Sequence, residues 1–393
     1  MARFEDSCAI TGIGMSQVGR HLGRGGLDLT LEAAHAALRD AGLTPAEVDG
    51  LATWPGTGVP GGGATPFSGP GTWEVQDAMR LALNWHTGSG MEGPGQLGAL
   101  LSACLAVSAG LARHVLVYRT TTEASGRRVP KEPQRETGGW AQWSQPFGGH
   151  SGANRVALQA SRHFHDFGTT REQLGMLAVT QRYNAGLNDR AVYRDPLTVA
   201  DYLDARMIST PLCLLDCDVP VDGSTAVVVS HRDTARDSRR PAVGFDAFGS
   251  ALTGRASWDQ WGGHEDHASF GAARSLWNRT DLSPADVDVA QLYDGFSWSA
   301  LIWLEALGFC GTGEGGTFLE GGKRIALDGE LPLNTGGGQL SAGRLSGFGL
   351  VHEAVLQLRG DGGDRQVANS PEVALVSNGA GFIAGCMTLT RLN

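Results

Sequence analysis

Histidine, cysteine and serine residues occur at spacings close to those of familiar catalytic and metal sites, but none of them completes a pattern. The segment 149–153, Gly-His-Ser-Gly-Ala, lacks the last glycine of a nucleophile elbow and is not placed between a strand and a helix. His163 and His165 are two residues apart on a predicted helix, so their side chains point to different faces. Cys213 and Cys217 have no second pair of ligands. We therefore expect no metal site.

A tyrosine–aspartate turn and two glycine-rich turns carry more information. Tyr293 and Asp294 end a short strand-like run, and the glycine-rich turns begin at Asn334 and Asn378. Asp294 can tune the neighbouring phenol or simply stabilise its turn, and Tyr293 itself can be a packing residue beneath the glycine-rich loops. Arg344 cannot act as a general base at neutral pH. It can hold an oxyanion, lower the pKa of Tyr293 or make a structural contact.

Composition limits the possible classes of protein. The 393 residues carry a formal net charge of −10, which argues against a generally basic nucleic-acid binder. The longest weakly polar run, 100–112, is too short for a membrane helix, and charged residues interrupt any apolar signal near Met1. Six scattered cysteines do not make a disulfide framework. We expect a cytoplasmic enzyme.

An internal repeat organises the elements that must position these turns. The segment 43–49 (LTPAEVD) returns as 282–288 (LSPADVD), and 93–97 (GPGQL) is echoed by 336–340 (GGGQL). In each case a helix and then a strand are predicted to follow, at 114–118 in the first half and 373–377 in the second. Further strands are predicted at 9–13 and 227–230 and helices at 29–41, 154–166 and 171–184, with a charged linker at 233–240. Such alternation favours two similar α/β halves with buried, mainly parallel or mixed sheets.

Together, the duplicated halves and the three turns resemble the thiolase superfamily, in particular its branch of sterol-carrier-protein thiolase-like lipid-transfer proteins. The resemblance covers nearly the whole chain. It implies the α/β thiolase fold, in which two similar halves form five αβαβα layers and a loop domain is inserted. The implied units are an N-terminal half over 1–120, a loop domain over 121–222, a return strand and linker over 223–240, and a C-terminal half over 241–393.

The cysteines argue against the condensing chemistry of this superfamily. Condensing thiolases carry a nucleophilic cysteine at the start of the first half's long helix, where the helix dipole lowers its pKa. Here that turn, 93–95, is Gly-Pro-Gly, and Cys104 lies about three turns further along. The loop 378–381 also lacks a cysteine, and Cys386 follows it by five residues. We therefore expect no acyl-enzyme.

Steroid side-chain-cleaving aldolases of this branch provide the implied function. They perform a retro-aldol cleavage of a bulky β-hydroxyacyl-CoA to a ketone and a short acyl-CoA such as propionyl-CoA. Coenzyme A is then part of the substrate, and no cofactor is bound covalently. A non-catalytic acyl-CoA or lipid binder and an acyltransferase of the acetyl-CoA acetyltransferase type remain alternatives.

The same resemblance assigns residues. Tyr293 matches the acid–base tyrosine of these lyases and is the expected base. Asp294 accompanies it, whereas Arg344 replaces a second tyrosine. His352 and His150 are further candidates. The residues expected to bind substrate are Gly93, Gly95, Gly337, Gly338, Gly343, Asn378, Gly379 and Gly381. The basic group within 127–135 is a candidate for the CoA phosphates, or else a solvated or partner-facing loop.

Partners are implied as well. Aldolases of this branch pair with a small protein that combines an OB fold with a zinc ribbon and completes the acyl-CoA site. The expected assembly is a homodimer that binds two such partners, a heterotetramer. Dimerisation would cover the open sheet edge of the first half.

Overall fold

The computed structural model describes residues 3–56, 65–90, 94–126, 137–235, 238–253, 262–368 and 370–392. In the first half, apolar strands alternate with amphipathic helices. Its elements are β1 (Cys8–Met15), α1 (Gly26–Ala41), β2 (Gly50–Thr53), α2 (Thr72–Met79), β3 (Trp85–Gly88), α3 (Gln96–Ser108) and β4 (His114–Thr122). Helix α1 packs so closely against β1 that a side chain at Gly12 would come within 2.2 Å of the Ala37 carbonyl oxygen. Gly42, with a φ of 76°, ends this helix.

The segment between β4 and the next long strand is mainly helical. It contains α4 (Glu123–Gly126), α5 (Gly152–Phe167), α6 (Arg171–Gly186), α7 (Val199–Asp204), β5 (Met207–Ser209) and β6 (Leu212–Cys213). Thr170 caps α6 by accepting a hydrogen bond from the Gln173 backbone N–H. The chain then returns as β7 (Asp222–His231), and the predicted charged linker begins with a short helix, α8 (Arg232–Ala235).

The second half repeats the first. Its elements are β8 (Val243–Leu252), α9 (Ala268–Trp277), β9 (Val289–Gln291), α10 (Ser297–Ala306), α11 (Gly315–Leu319), α12 (Phe348–Arg359), β10 (Val373–Gly379) and β11 (Ile383–Arg391). One difference from the sequence expectation lies after the 336–340 echo. A single π-helical turn, Gly338–Ala342, comes first there, and the long helix α12 starts only at Phe348.

Sheet topology confirms the two similar halves. Within the described ranges, nine strands form one sheet in the order β3-β2-β4-β7-β1-β8-β11-β10-β9. The order β2-β4-β7-β1 of the first half recurs as β9-β10-β11-β8, and in both the first pair is parallel and the other two pairs are antiparallel. The halves meet where β1 pairs with β8 over two residues. Strand β3 is an addition at the outer edge of the first half.

Alternation along the strands builds the layers. On β4, Val115 and Val117 face a central core with α3 and α12, whereas Leu116 and Tyr118 face a core with α1 and α2. On the other half of the sheet, Leu375 faces a third core with α9 and α10. The layers are therefore helices, the first half of the sheet, the central helices, the second half of the sheet and helices again, which are the five αβαβα layers predicted. No helix of the described residues is long and apolar enough to cross a membrane.

Candidate active site

The Tyr293 turn follows β9, an edge strand that pairs in parallel with β10. One asparagine and one serine side chain fix this turn. The Asn334 side chain bonds both backbone groups of Leu292, at 2.7 and 2.9 Å, and the Ser377 hydroxyl accepts the Tyr293 N–H at 2.9 Å. The phenol folds back over the next turn residue, since a side chain at Gly295 would lie 2.6 Å from the Tyr293 hydroxyl. Glycine at 295 thus makes room for the ring.

Asp294 joins this turn to the glycine-rich turn. Its buried carboxylate accepts the backbone N–H of Gln339 at 2.8 and 3.0 Å and that of Leu340 at 3.3 Å. Burial raises the pKa of Asp294 to about 7, although these hydrogen bonds act in the opposite direction. Of the two roles expected for Asp294, the contacts support the fixing of a turn.

Arg344 lies between two carboxylates. Its guanidinium is 2.8 Å from Glu123 at the start of α4 and 3.0 Å from Asp218 before β7. We call these three residues the Arg344 cluster. Its members are partly buried, with side-chain exposures of 20%, 17% and 10%. Sequence reasoning missed both carboxylates, because their separations from Arg344 along the chain carry no local pattern.

The Arg344 cluster changes the expected protonation of Tyr293. Burial and then the charge of Asp218 raise the pKa of Tyr293, and Arg344 only partly opposes them. Arg344 thus lowers the pKa of Tyr293, which is one of the roles expected of it, but burial and Asp218 outweigh this effect. One guanidinium faces two carboxylates, so the cluster is net negative beside the phenol. Tyr293 carries its proton at neutral pH.

The turn at the start of α3 is filled by an amide. Gly95, with a φ of 59°, directly precedes α3, and a side chain there would lie 2.0 Å from the Asn378 Oδ1. The Asn378 amide donates in turn to the Ser346 carbonyl oxygen at 3.1 Å. Burial raises the pKa of the Cys104 thiol well above its usual range and also raises that of Cys386. Both cysteines belong to the packed core.

The loop after Asn378 is bonded to the protein at both predicted substrate-binding glycines. The Gly379 carbonyl accepts the Trp303 indole N–H at 2.8 Å, and the Gly381 N–H donates to His267 Nε2 at 2.8 Å. Burial lowers the pKa of His267 to about 3, so the ring is neutral and able to accept. The Gly381 N–H is thus already used within the fold.

The other predicted glycines also have protein neighbours. Gly337, Gly338 and Gly343 all have positive φ, and added side chains would collide with Ala185, Asp294 and Val221, respectively. Their conformation shapes the turn that carries Arg344. Gly93 and the basic group 127–135 lie outside the described residues.

The two candidate histidines occupy different environments. Burial and nearby arginines lower the pKa of His352 to about 3. His352 lines a cavity of about 90 Å³ with Gly338 and Gln339, but neither Tyr293 nor Arg344 contributes to that lining. His150 is exposed in the loop before α5. Across the described ranges, no group of three or more histidine, cysteine or carboxylate side chains could hold a metal ion.

Fold and site together define a thiolase-fold protein in which Gly95 and Asn378 meet at the start of the long helix α3. A family model for the thiolase C-terminal domain-like fold matches residues 264–390. The chain is 33% identical over 385 residues to the steroid side-chain-cleaving aldolase of Thermomonospora curvata, covering 92% of each chain. It is 36% identical over 372 residues to the 17-hydroxy-3-oxo-4-pregnene-20-carboxyl-CoA lyase of Mycobacterium tuberculosis, covering 90% of this chain and 91% of the relative.

A solved structure agrees with these relatives. The Ltp2-ChsH2(DUF35) aldolase superimposes with a TM-score of 0.87 and 32% identity over 98% of both chains. The chain therefore belongs to the thiolase superfamily, in the branch that includes the steroid side-chain-cleaving aldolases. The predicted resemblance is confirmed.

Proposed function

We propose that this chain is a carbon–carbon lyase that cleaves a bulky β-hydroxyacyl-CoA, with a steroid as the bulky group, to a ketone and a short acyl-CoA such as propionyl-CoA. The observation that carries the proposal is the contact of Asn378 with Gly95, which fills the position from which a thiolase cysteine attacks. Chemistry at this site must then proceed without a covalent acyl-enzyme. Two of the relatives that match over 90% or more of the chain are named as an aldolase and a lyase.

The proton balance of a retro-aldol reaction suits the groups near Tyr293. The β-hydroxyl gives up its proton, the bond between the α- and β-carbons breaks, and its electron pair moves into the thioester as an enolate. The enolate then takes a proton at its α-carbon. Because Tyr293 is protonated at rest, it supplies this proton.

Glu123 is the proposed base for the β-hydroxyl proton. Arg344 holds its Oε1, while its Oε2 has no hydrogen-bond partner among the described residues. Transfer of the proton from Glu123 to the Tyr293 phenolate restores the starting state. This assignment replaces the expectation that Tyr293 is the base.

The proposed assembly is a homodimer that also binds a small OB-fold, zinc-ribbon protein. Strand β3 supports the dimer, because it lies at the edge of the sheet and no described strand pairs with its outer side. The name of the Ltp2-ChsH2(DUF35) aldolase includes a second component, which supports a partner protein.

Product analysis tests the proposed function. The purified chain, alone and co-expressed with a candidate partner, is incubated with steroid β-hydroxyacyl-CoA thioesters, and products are separated by mass. Ketone and propionyl-CoA in equal amounts are expected. A chain-extended thioester would indicate an acyltransferase, and tight binding without turnover by the complex would indicate a non-catalytic acyl-CoA binder.

A further inference from the structure

Arg119 on β4 is a completely buried arginine next to the candidate active site. Its exposed fraction is 0%. The guanidinium donates to the carbonyl oxygens of Phe67 and Thr120 and, at 3.0 Å, to the Ser346 hydroxyl. It also lies over the rings of Trp54 and Phe67, at 5.2 and 4.7 Å from their centroids. All these partners are neutral.

The charge of Arg119 has no direct ion-pair partner in the described part of the chain. Glu123, which is paired with Arg344, acts on Arg119 only at longer range. Its Nε–H likewise has no hydrogen-bond partner in those residues. Burial lowers the pKa of Arg119 to about 9, which still leaves the group charged at neutral pH. Because an unpaired buried cation costs folding free energy, Arg119 is a candidate for a functional role rather than a stabilising one.

A chain of contacts connects Arg119 to Gly95 at the start of α3. Ser346, which accepts its hydrogen bond, has a left-handed backbone with a φ of 53°. The Ser346 carbonyl accepts the Asn378 amide, and Asn378 in turn contacts Gly95. The charges of Glu123, the proposed base, and of Arg344 also act on Arg119.

We propose that Arg119 is a positioning residue of the lyase site: it fixes Ser346 and supplies a positive charge, without a direct ion pair among the described residues, that stabilises the enolate as the carbon–carbon bond breaks. The inference rests on the proposed function. The electron pair released by the bond places a negative charge on the thioester oxygen, and a fixed cation in a water-poor site lowers the energy of that state without reorganisation. Arg344 cannot do this equally well, because Glu123 and Asp218 neutralise it.

Three variants separate charge from structure. Arg119→Met removes the charge and keeps an apolar chain of similar length against the two rings. Arg119→Lys keeps the charge, and Ser346→Ala removes only the hydroxyl contact. Arg171→Met is the matched control. Like Arg119, Arg171 lies over an aromatic ring, here that of Tyr202, donates to two backbone carbonyls and has a buried Nε without a hydrogen-bond partner among the described residues. It belongs to α6 instead of β4.

Steady-state cleavage by the chain with its partner is the main measurement. We expect kcat to fall roughly 10²–10³-fold in Arg119→Met, with KM changed by less than about threefold, as for an interaction made mainly in the transition state. Arg119→Lys should retain a substantial part of the wild-type kcat, and Ser346→Ala should lower kcat less than Arg119→Met does. Thermal unfolding should show Arg119→Met to be folded. A folded Arg119→Met variant with kcat within about twofold of wild type would overturn the inference, and so would an equal loss in Ser346→Ala or in the Arg171→Met control.

Deuterium exchange at the α-carbon of propionyl-CoA distinguishes this inference from the proposed function. Exchange reports enolate formation without carbon–carbon cleavage. Wild-type exchange without cleavage of any hydroxyacyl-CoA would refute the lyase proposal, while a slower exchange in Arg119→Met would still support the role of the charge. Absence of both activities from the wild-type complex would overturn both.

Discussion

Adding a side chain at residue 95 is the most direct test of the contact between Gly95 and Asn378. In condensing thiolases the helix start carries a cysteine, so Gly95→Cys formally restores the residue type. The structure predicts that this substitution destabilises the fold and produces no acyl-enzyme. A side chain at 95 would meet the Asn378 Oδ1 at 2.0 Å, and the backbone, with φ and ψ of 59° and −141°, is one that L-residues avoid.

The magnitude follows from two separate costs. A non-glycine residue in a sparsely populated backbone region costs about 1–3 kcal/mol. Overpacking against the buried Asn378 amide adds about 1–3 kcal/mol. Gly95→Ala should thus be destabilised by roughly 2–6 kcal/mol, which at about 2 °C per kcal/mol for a large domain corresponds to a fall in Tm of roughly 4–12 °C.

A double-mutant cycle resolves the two costs. Asn378→Gly removes the carboxamide, so Gly95→Ala in that background should lose only the backbone part, about half of the total. Gly95→Cys should form no acyl-enzyme detectable by intact-protein mass spectrometry after incubation with acyl-CoA. A Gly95→Ala variant as stable as wild type, or an acylated Gly95→Cys single variant, would refute the reasoning.

Four further predictions concern titrating and buried groups. Tyr293→Phe should lower kcat roughly 10²–10⁴-fold with little change in KM, and because the phenol pKa is raised, wild-type kcat should not fall from phenol ionisation between pH 7 and about 10. Arg344→Lys should retain more kcat than Arg344→Ala, since alanine leaves the two carboxylates of the Arg344 cluster facing each other unopposed. Asp294 has a pKa raised to about 7, so the stability that its neutral form provides is complete below about pH 4 and is lost as the pH rises through 7. Asp294→Asn should therefore gain stability relative to wild type between pH 4 and 8, by up to about 4 kcal/mol in denaturant titrations, and a constant difference would contradict this. Cys104→Ala should keep most of the activity, and loss of turnover in a folded variant would show that the thiol takes part.

The architecture was accessible from the sequence because it depends on local patterns. The LTPAEVD and LSPADVD repeats precede equivalent strands, β2 and β9, and the strand order of one half recurs in the other. Helix periodicity predicted α5 and α6 to within three residues at each end. The late start of α12 was missed, because Gly337, Gly338 and Gly343 adopt positive φ around a π-helical turn that no apolar period signals.

The candidate site was only partly accessible, because its electrostatics depend on residues that are distant in sequence. Tyr293 and Asp294 were recognisable as a turn after a strand. Their protonation, however, depends on Asp218 and Arg344, which arrive from the segment before β7 and from the glycine-rich turn. Arg119 gave no sequence signal either, since one arginine in an apolar strand suggests an exposed edge, whereas β4 lies between β2 and β7.

The chain of contacts from Arg119 through Ser346 and Asn378 to Gly95 leaves no room for a side chain at the start of α3. A cysteine at 95 would require Asn378 to withdraw, and withdrawal would release the Ser346 carbonyl and weaken the hold on the left-handed turn before α12. That turn lies two residues after Arg344 and is bonded at Gly347 to the Gln339 side chain. A return to thiolase chemistry therefore needs coordinated changes on three loops, and single substitutions toward cysteine should lose stability before they gain any acyl transfer.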